Sequence, residues 1–232
     1  MRLLLAALLL SAAAPALSQS LPLERIQLPP GFRIELYATV PNARSLALGT
    51  KGTLFVGSRS GGSVHAVLPD RKVVKLAEGL TMPNGVAYRD GALYIAEVGK
   101  IYRIADIEKN LSLQKPQLFF DKLPTDVHHG WKFIRFGPDG KLYVPIGAPC
   151  NICDRDGYAL IGFLDLQKKA FEIYAKGVRN TVGFDWHPQT RELWFTDNGR
   201  DWLGDERPAD ELNRAPRAGM HFGFPQDRKS VV

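Results

Sequence analysis

Short apolar runs separated by Gly- and Asp-containing turns dominate the chain, and one arrangement of them occurs four times: an apolar strand, a turn, then leucine, an aromatic and a further apolar residue. The copies run Ser45–Leu48 into Leu54-Phe55-Val56, Gly85–Tyr88 into Leu93-Tyr94-Ile95, Ile134–Phe136 into Leu142-Tyr143-Val144, and Val182–Trp186 into Leu193-Trp194-Phe195. Their leading leucines lie 39, 49 and 51 residues apart, close to the period of about 40 to 50 residues expected of β-propeller blades. Asp90-Gly91 and Pro138-Asp139-Gly140 sit where tight hairpin turns need positive φ. Further strands are expected at Ser63–Val67, Ile101–Ile104 and Phe171–Tyr174, and no long amphipathic helix competes with them.

The ends of the chain read differently. Arg2, the apolar run Leu3–Leu10 and the small residues up to Ser18 have the form of a secretory signal, so residues 1–18 are expected to be removed and 19–226 to form an exported domain, periplasmic or secreted. No apolar stretch reaches the length of about 20 residues that a membrane span needs. The tail, residues 227–232, continues no blade pattern, and the chain is read as a truncated product holding about four blades. Its oligomeric state is not legible. The composition, 45% hydrophobic and 23% charged, is that of an ordinary globular domain. The net charge of +6 is spread without a run of five like charges, so no nucleic-acid partner is expected.

Each hairpin has its turn at one end, so the residues entering its first strand and leaving its second share the opposite rim. That rim receives Asn84, His128, His129, Arg179 and Asn180 from strand entrances, and Arg59, Glu97, Gly147, Ala148 and the Thr196–Asp201 stretch from strand exits. A histidine there is placed to take a proton from a substrate, or else to cap a strand or hydrogen-bond a neighbouring blade. An arginine there suits a carboxylate or paired quinone oxygens, or else an inter-blade salt bridge. The acidic stretch Asp197–Asp201 with Asp205, Glu206, Asp210 and Glu211 could hold a hard cation. His65 and His187 are read as structural.

Only Cys150 and Cys153 are present. In an oxidising compartment a local disulfide is one reading and a redox-active pair the other. Covalent haem would need histidine after the second cysteine, where Asp154 stands, and there is no second cysteine pair to complete a structural zinc site.

Three ordered segments resemble the glucose/sorbosone dehydrogenase family: His129–Tyr143, Gly177–Phe184, and Asp197–Asp201 followed by Asp210–Asn213 and Gly219–Pro225. The Cys150–Cys153 loop and the Trp202 insertion bring the chain nearer the sorbosone branch. The resemblance implies an all-β, six-bladed propeller that oxidises a sugar or sugar aldehyde using pyrroloquinoline quinone and Ca2+ and passes electrons to an external acceptor. It further implies His129 as general base, Arg179 and Asn180 as cofactor contacts, Asn84 as a looser match to a contacting glutamine, and the carbonyls of Gly199 and Arg200 as Ca2+ ligands. The family's further Lys and Arg cofactor contacts come from later blades that this chain lacks, so the chain alone is expected to be inactive. A Ca2+-dependent propeller lactonase and a non-catalytic binding propeller are the alternatives.

Overall fold

The computed structural model describes residues 21–226, so the expected signal segment 1–18 and the tail 227–232 lie outside the described residues. The chain divides into two units, Met1–Tyr37 and Ala38–Val232. Among its described residues the first contains one 3-10 turn, Leu23–Arg25, followed by irregular chain on which Phe32, Ile34 and Leu36 are exposed. No helix among the described residues is long and apolar enough to cross a membrane.

The second unit is four sheets. Sheet I is β1 (Ala43–Leu48), β2 (Leu54–Ser58), β3 (Val64–Val67) and β4 (Val73–Ala77), joined in chain order. Sheet II repeats this with β5 (Gly85–Arg89), β6 (Ala92–Ala96), β7 (Ile101–Ile104) and β8 (Gln117–Phe120). Sheet III holds β9 (Arg135–Phe136), β10 (Leu142–Ile146), β11 (Leu160–Asp165) and β12 (Ala170–Lys176), and sheet IV holds β13 (Phe184–Trp186), β14 (Leu193–Asp197) and β15 (Glu211–Ala215). The four repeats of the sequence are therefore the first two strands of four blades. The turn between β5 and β6 has Asp90 at φ 48° and Gly91 at φ 76°, the two positive values a type I′ hairpin requires. One pairing departs from the repeat: β16 (Met220–His221) returns to the edge of sheet III and pairs parallel with β12.

Side chains alternate across a strand, and here the two faces serve different cores. Leu93 and Ile95 of β6 pack with Phe55, Val64 and Leu76 of sheet I. Their neighbours Ala92, Tyr94 and Ala96 pack with Leu142, Val144 and Ile146 of sheet III. Tyr143, on the other face of β10, joins Phe163, Phe184 and Phe195 between sheets III and IV. The four sheets thus stack face to face as propeller blades. At about 25 cal/mol per Å2 of apolar surface, each fully buried Ile or Phe in these junctions contributes roughly 2–3 kcal/mol. The face of β1 turned away from sheet II carries Leu46 and Leu48, which are exposed.

Candidate functional site

The rim anticipated from the hairpins gathers residues of blades III and IV around one backbone unit. The Ala148 carbonyl, just after β10, lies 2.9 Å from Nδ1 of His129, and the Ala148 N–H donates to the carbonyl of Arg179 at 2.8 Å. A carbonyl only accepts, so the imidazole carries its proton on Nδ1 and leaves the Nε2 lone pair free. His129 has φ 48°, a strained backbone state for a residue with a side chain. Gly147 makes room for it: a Cβ on Gly147 would stand 2.5 Å from the His129 Cβ and 3.0 Å from its carbonyl oxygen. Burial holds the imidazole down at about 4, with the nearby Arg179 and His128 lowering it further against the Ala148 bond. The ring is therefore neutral across the physiological range.

Arg179 is 3% exposed and largely committed within the protein. Its Nε donates to the Asn151 carbonyl at 2.9 Å, Nη1 to the Asn198 carbonyl at 3.1 Å, and Nη2 to Asn151 Oδ1 at 2.8 Å and to Asp201 Oδ2 at 3.0 Å. One Nη1 hydrogen remains for a ligand. The arginine's ion pair is thus with Asp201 of blade IV's own β14–β15 loop, and its link to blade III is through the hydrogen bonds to Asn151, alongside that one free donor. Asn180 follows, its backbone N–H donating to Asp197 Oδ1 at 2.6 Å while that of Arg179 donates to Oδ2 at 2.9 Å. Burial pushes the Asp197 carboxyl up to about 6 despite these two bonds, which pull it down.

Asn84 is 2% exposed, and its amide nitrogen donates to Ser45 Oγ at 3.0 Å and to the Lys132 carbonyl at 2.5 Å. It anchors the loop that carries His129, and with both amide hydrogens taken it has only Oδ1 to offer a ligand. Glu97 is buried and accepts the Thr81 N–H at 2.7 Å. The carbonyls of Gly199 and Arg200 accept no hydrogen bond among the described residues, which leaves their lone pairs available to a cation. The acidic stretch does not assemble as a carboxylate cage. Asp197 turns inward, Asp201 pairs with Arg179, Asp210 accepts the Gly199 N–H at 2.9 Å, and Glu211 accepts from Asn213 at 3.0 Å. No group of three or more His, Cys, Asp or Glu side chains suited to a metal occurs among the described residues. Of the backbone carbonyls from Asn198 to Asp201, those of Gly199 and Arg200 are the ones left without a hydrogen bond among the described residues.

Cys150 and Cys153 are disulfide-bonded, in the loop between β10 and β11 and not at a helix start. Two residues escaped the sequence reading. Asn151, inside that disulfide, holds Arg179. Lys132, 2% exposed, donates from Nζ to the Gly130 carbonyl at 2.6 Å, and burial lowers its amine to about 8. The signal for Lys132 was its place between Trp131 and Phe133; for Asn151 there was none in local sequence. A cavity of about 580 Å3 opens beside Arg179, lined also by Asp197, Gly199, Arg207 and Phe222, and His129 lies outside its wall.

Residues 161–231 match the model of the Glucose / Sorbosone dehydrogenase family. An uncharacterized protein of Borreliella burgdorferi is 36% identical over 217 residues, covering 86% of this chain and 56% of its own length, so the chain spans about half of that relative. Among solved structures, the PQQ-bound aldose sugar dehydrogenase of Streptomyces coelicolor superposes with TM-score 0.66 at 23% identity over 82% of this chain and 64% of its own. A calcium structure of the Trichoderma reesei carbohydrate-active enzyme of family AA12 gives TM-score 0.66 at 18% identity over 81% and 54%. At these identities the likeness to the two structures is one of fold. The ordered motifs rest on four propeller blades, and the stretch of blades III and IV from residue 161 onward is what is similar to the glucose/sorbosone dehydrogenase family.

Proposed function

We propose that the protein is an exported quinoprotein oxidoreductase, in which the rim at His129 oxidises a sugar or sugar aldehyde with pyrroloquinoline quinone and Ca2+ and delivers electrons to an external acceptor. The observation that carries the reading is the Ala148 peptide, which ties a neutral histidine with a free Nε2 to the Arg179–Asn180 pair through 2.9 and 2.8 Å bonds. His129 Nε2 accepts the proton of the substrate hydroxyl, a task that needs its unprotonated form and hence the low affinity for protons that burial imposes. The Ala148 carbonyl takes the Nδ1 hydrogen and keeps the ring in the tautomer that can act. Arg179 offers its remaining Nη1 hydrogen, and Asn180 its side chain, to the oxygens of the cofactor. Gly199 and Arg200 present carbonyls of the kind Ca2+ takes. When bound, the quinone would supply the hydride acceptor and Ca2+ the Lewis acid that polarises it. The fold of the PQQ-bound and calcium-containing structures is compatible with both.

The test is dye reduction by the full-length gene product with a panel of aldoses and sorbosone, with and without added quinone and Ca2+. Turnover that requires both additions is expected. A well-folded protein that binds no quinone in the presence of Ca2+ would overturn the proposal.

A further inference from the structure

Asn151 lies between the two half-cystines of the Cys150–Cys153 disulfide and makes four hydrogen bonds to just two residues. Its carbonyl and Oδ1 accept from Nε and Nη2 of Arg179 at 2.9 and 2.8 Å, presenting a side-on pair of acceptors to the guanidinium. The same Oδ1 accepts the Asp201 N–H at 2.8 Å, while Nδ2 donates to the Asp201 carbonyl at 3.2 Å. Asn151 therefore pairs with Asp201 as one strand residue pairs with another, and it fixes the arginine through the same side chain. The alternative restraint on the arginine, the Asp201 carboxylate at 3.0 Å, is more than half exposed, and exposed ion pairs hold geometry weakly. The disulfide closes a ring over a sequence separation of three, so the backbone carrying Asn151 has few conformations in which to relax.

We infer that Asn151 is a positioning residue, which sets the Arg179 guanidinium and the Asn198–Asp201 loop in register, and that the Cys150–Cys153 disulfide keeps it there. Its consequence for ligand binding rests on the function proposed above. Of the guanidinium's five hydrogens, Asn151 takes two, Asn198 one and Asp201 one; the direction of the fifth is set by the other four. The two carbonyls at Gly199 and Arg200 lie between Asn198 and Asp201, so the loop proposed to face the cation is fastened at one end by the same side chain. Reduction of the disulfide should release both groups together.

Two readouts separate this inference from the cofactor reading. The first uses apo protein: amide hydrogen exchange at Asp201 in the wild type, Asn151→Ala, Asn151→Asp and the double variant Cys150→Ser/Cys153→Ser, with the amides of β14 as the folding control. Asn151→Ala should speed exchange at Asp201 by about tenfold, the scale of one lost hydrogen bond, with β14 unchanged. Asn151→Asp keeps both Oδ1 contacts and should restore protection, while the double-serine variant and dithiothreitol-treated wild type should follow Asn151→Ala. Unchanged exchange at Asp201 in Asn151→Ala overturns the inference. The second readout is quinone affinity by fluorescence titration, expected to be about tenfold weaker in Asn151→Ala and largely recovered in Asn151→Asp. Equal affinity in the alanine variant also overturns it. If wild type binds no quinone yet Asn151→Ala still frees Asp201, the cofactor reading fails and the positioning role of Asn151 is supported.

Discussion

Replacing Lys132 by methionine should change the sign of its effect on stability with pH. Burial brings the amine from 10.5 to about 8, so the folded state holds this proton less tightly than the unfolded chain by about 3 kcal/mol. Between those two values the unfolded chain binds more protons, and wild-type stability gains from this group as pH rises; below about 8 the full penalty is present. Methionine has a similar unbranched length and no charge to desolvate, so it removes that penalty. It also leaves the buried Gly130 carbonyl without the Nζ donor at 2.6 Å, a loss of about 1–3 kcal/mol. The balance at pH 7 is a variant more stable by about 1 kcal/mol; near pH 10, where the wild-type amine is mostly neutral, the variant should be the less stable by a similar amount. Urea denaturation followed by circular dichroism at both pH values measures this directly. A difference between variant and wild type that does not move with pH would show that the ammonium is solvated or paired in solution, and the reasoning would fail.

Three further outcomes are expected. In the quinone-loaded enzyme the acid limb of kcat/KM should fall near pH 4, because His129 is neutral above about 4; a limb at 6 to 7, or normal turnover in His129→Ala, removes the base assignment. Gly147→Ala drives a methyl into the His129 backbone and should cost about 1–3 kcal/mol of stability, with turnover falling further than the melting temperature alone explains; full activity in this variant would contradict the close approach. Asp197→Asn can accept only one of the two backbone N–H groups that Asp197 now takes, so it should lose about 1–3 kcal/mol at pH 7. That loss should widen as pH drops through about 6, because the folded Asp197 carboxyl, raised to about 6, takes up a proton that the unfolded chain does not and so stabilises the wild type alone; a loss constant from pH 5 to 7 would count against this.

The blades were legible because their first two strands combine an alternating pattern with a turn of known stereochemistry, as at Asp90-Gly91. The return of β16 to sheet III was not, since a two-residue strand bonded through its backbone has no side-chain period. At the site, His129 and Arg179 could be placed on one rim by topology alone, which fixes strand ends irrespective of side chains. Their hydrogen bonds could not. Asn151 meets Arg179 across 28 residues and Asp201 across 50, and nothing in the local sequence encodes where those segments return. Which oxygens of the acidic stretch are free was not legible either, because composition counts carboxylates and ignores that Asp197 faces inward to backbone N–H groups.

Sheets II and III each feed two cores, through β5, β6 and β7 in the one and β10 and β11 in the other, so the four described blades meet at three joints coupled through the sheet that neighbours share. Damage should therefore spread by adjacency: a cavity cut at Phe55 or Leu76 weakens the first joint and must pass through sheets II and III before it is felt at the third. The His129–Ala148–Arg179 linkage bridges blades III and IV, across that third joint, where Tyr143 contacts the rings of Phe163, Tyr174, Phe184 and Trp186. The geometry of the rim is thus insured by one aromatic seam, and losses at the far end of the series should unfold their own blade well before they disturb the histidine.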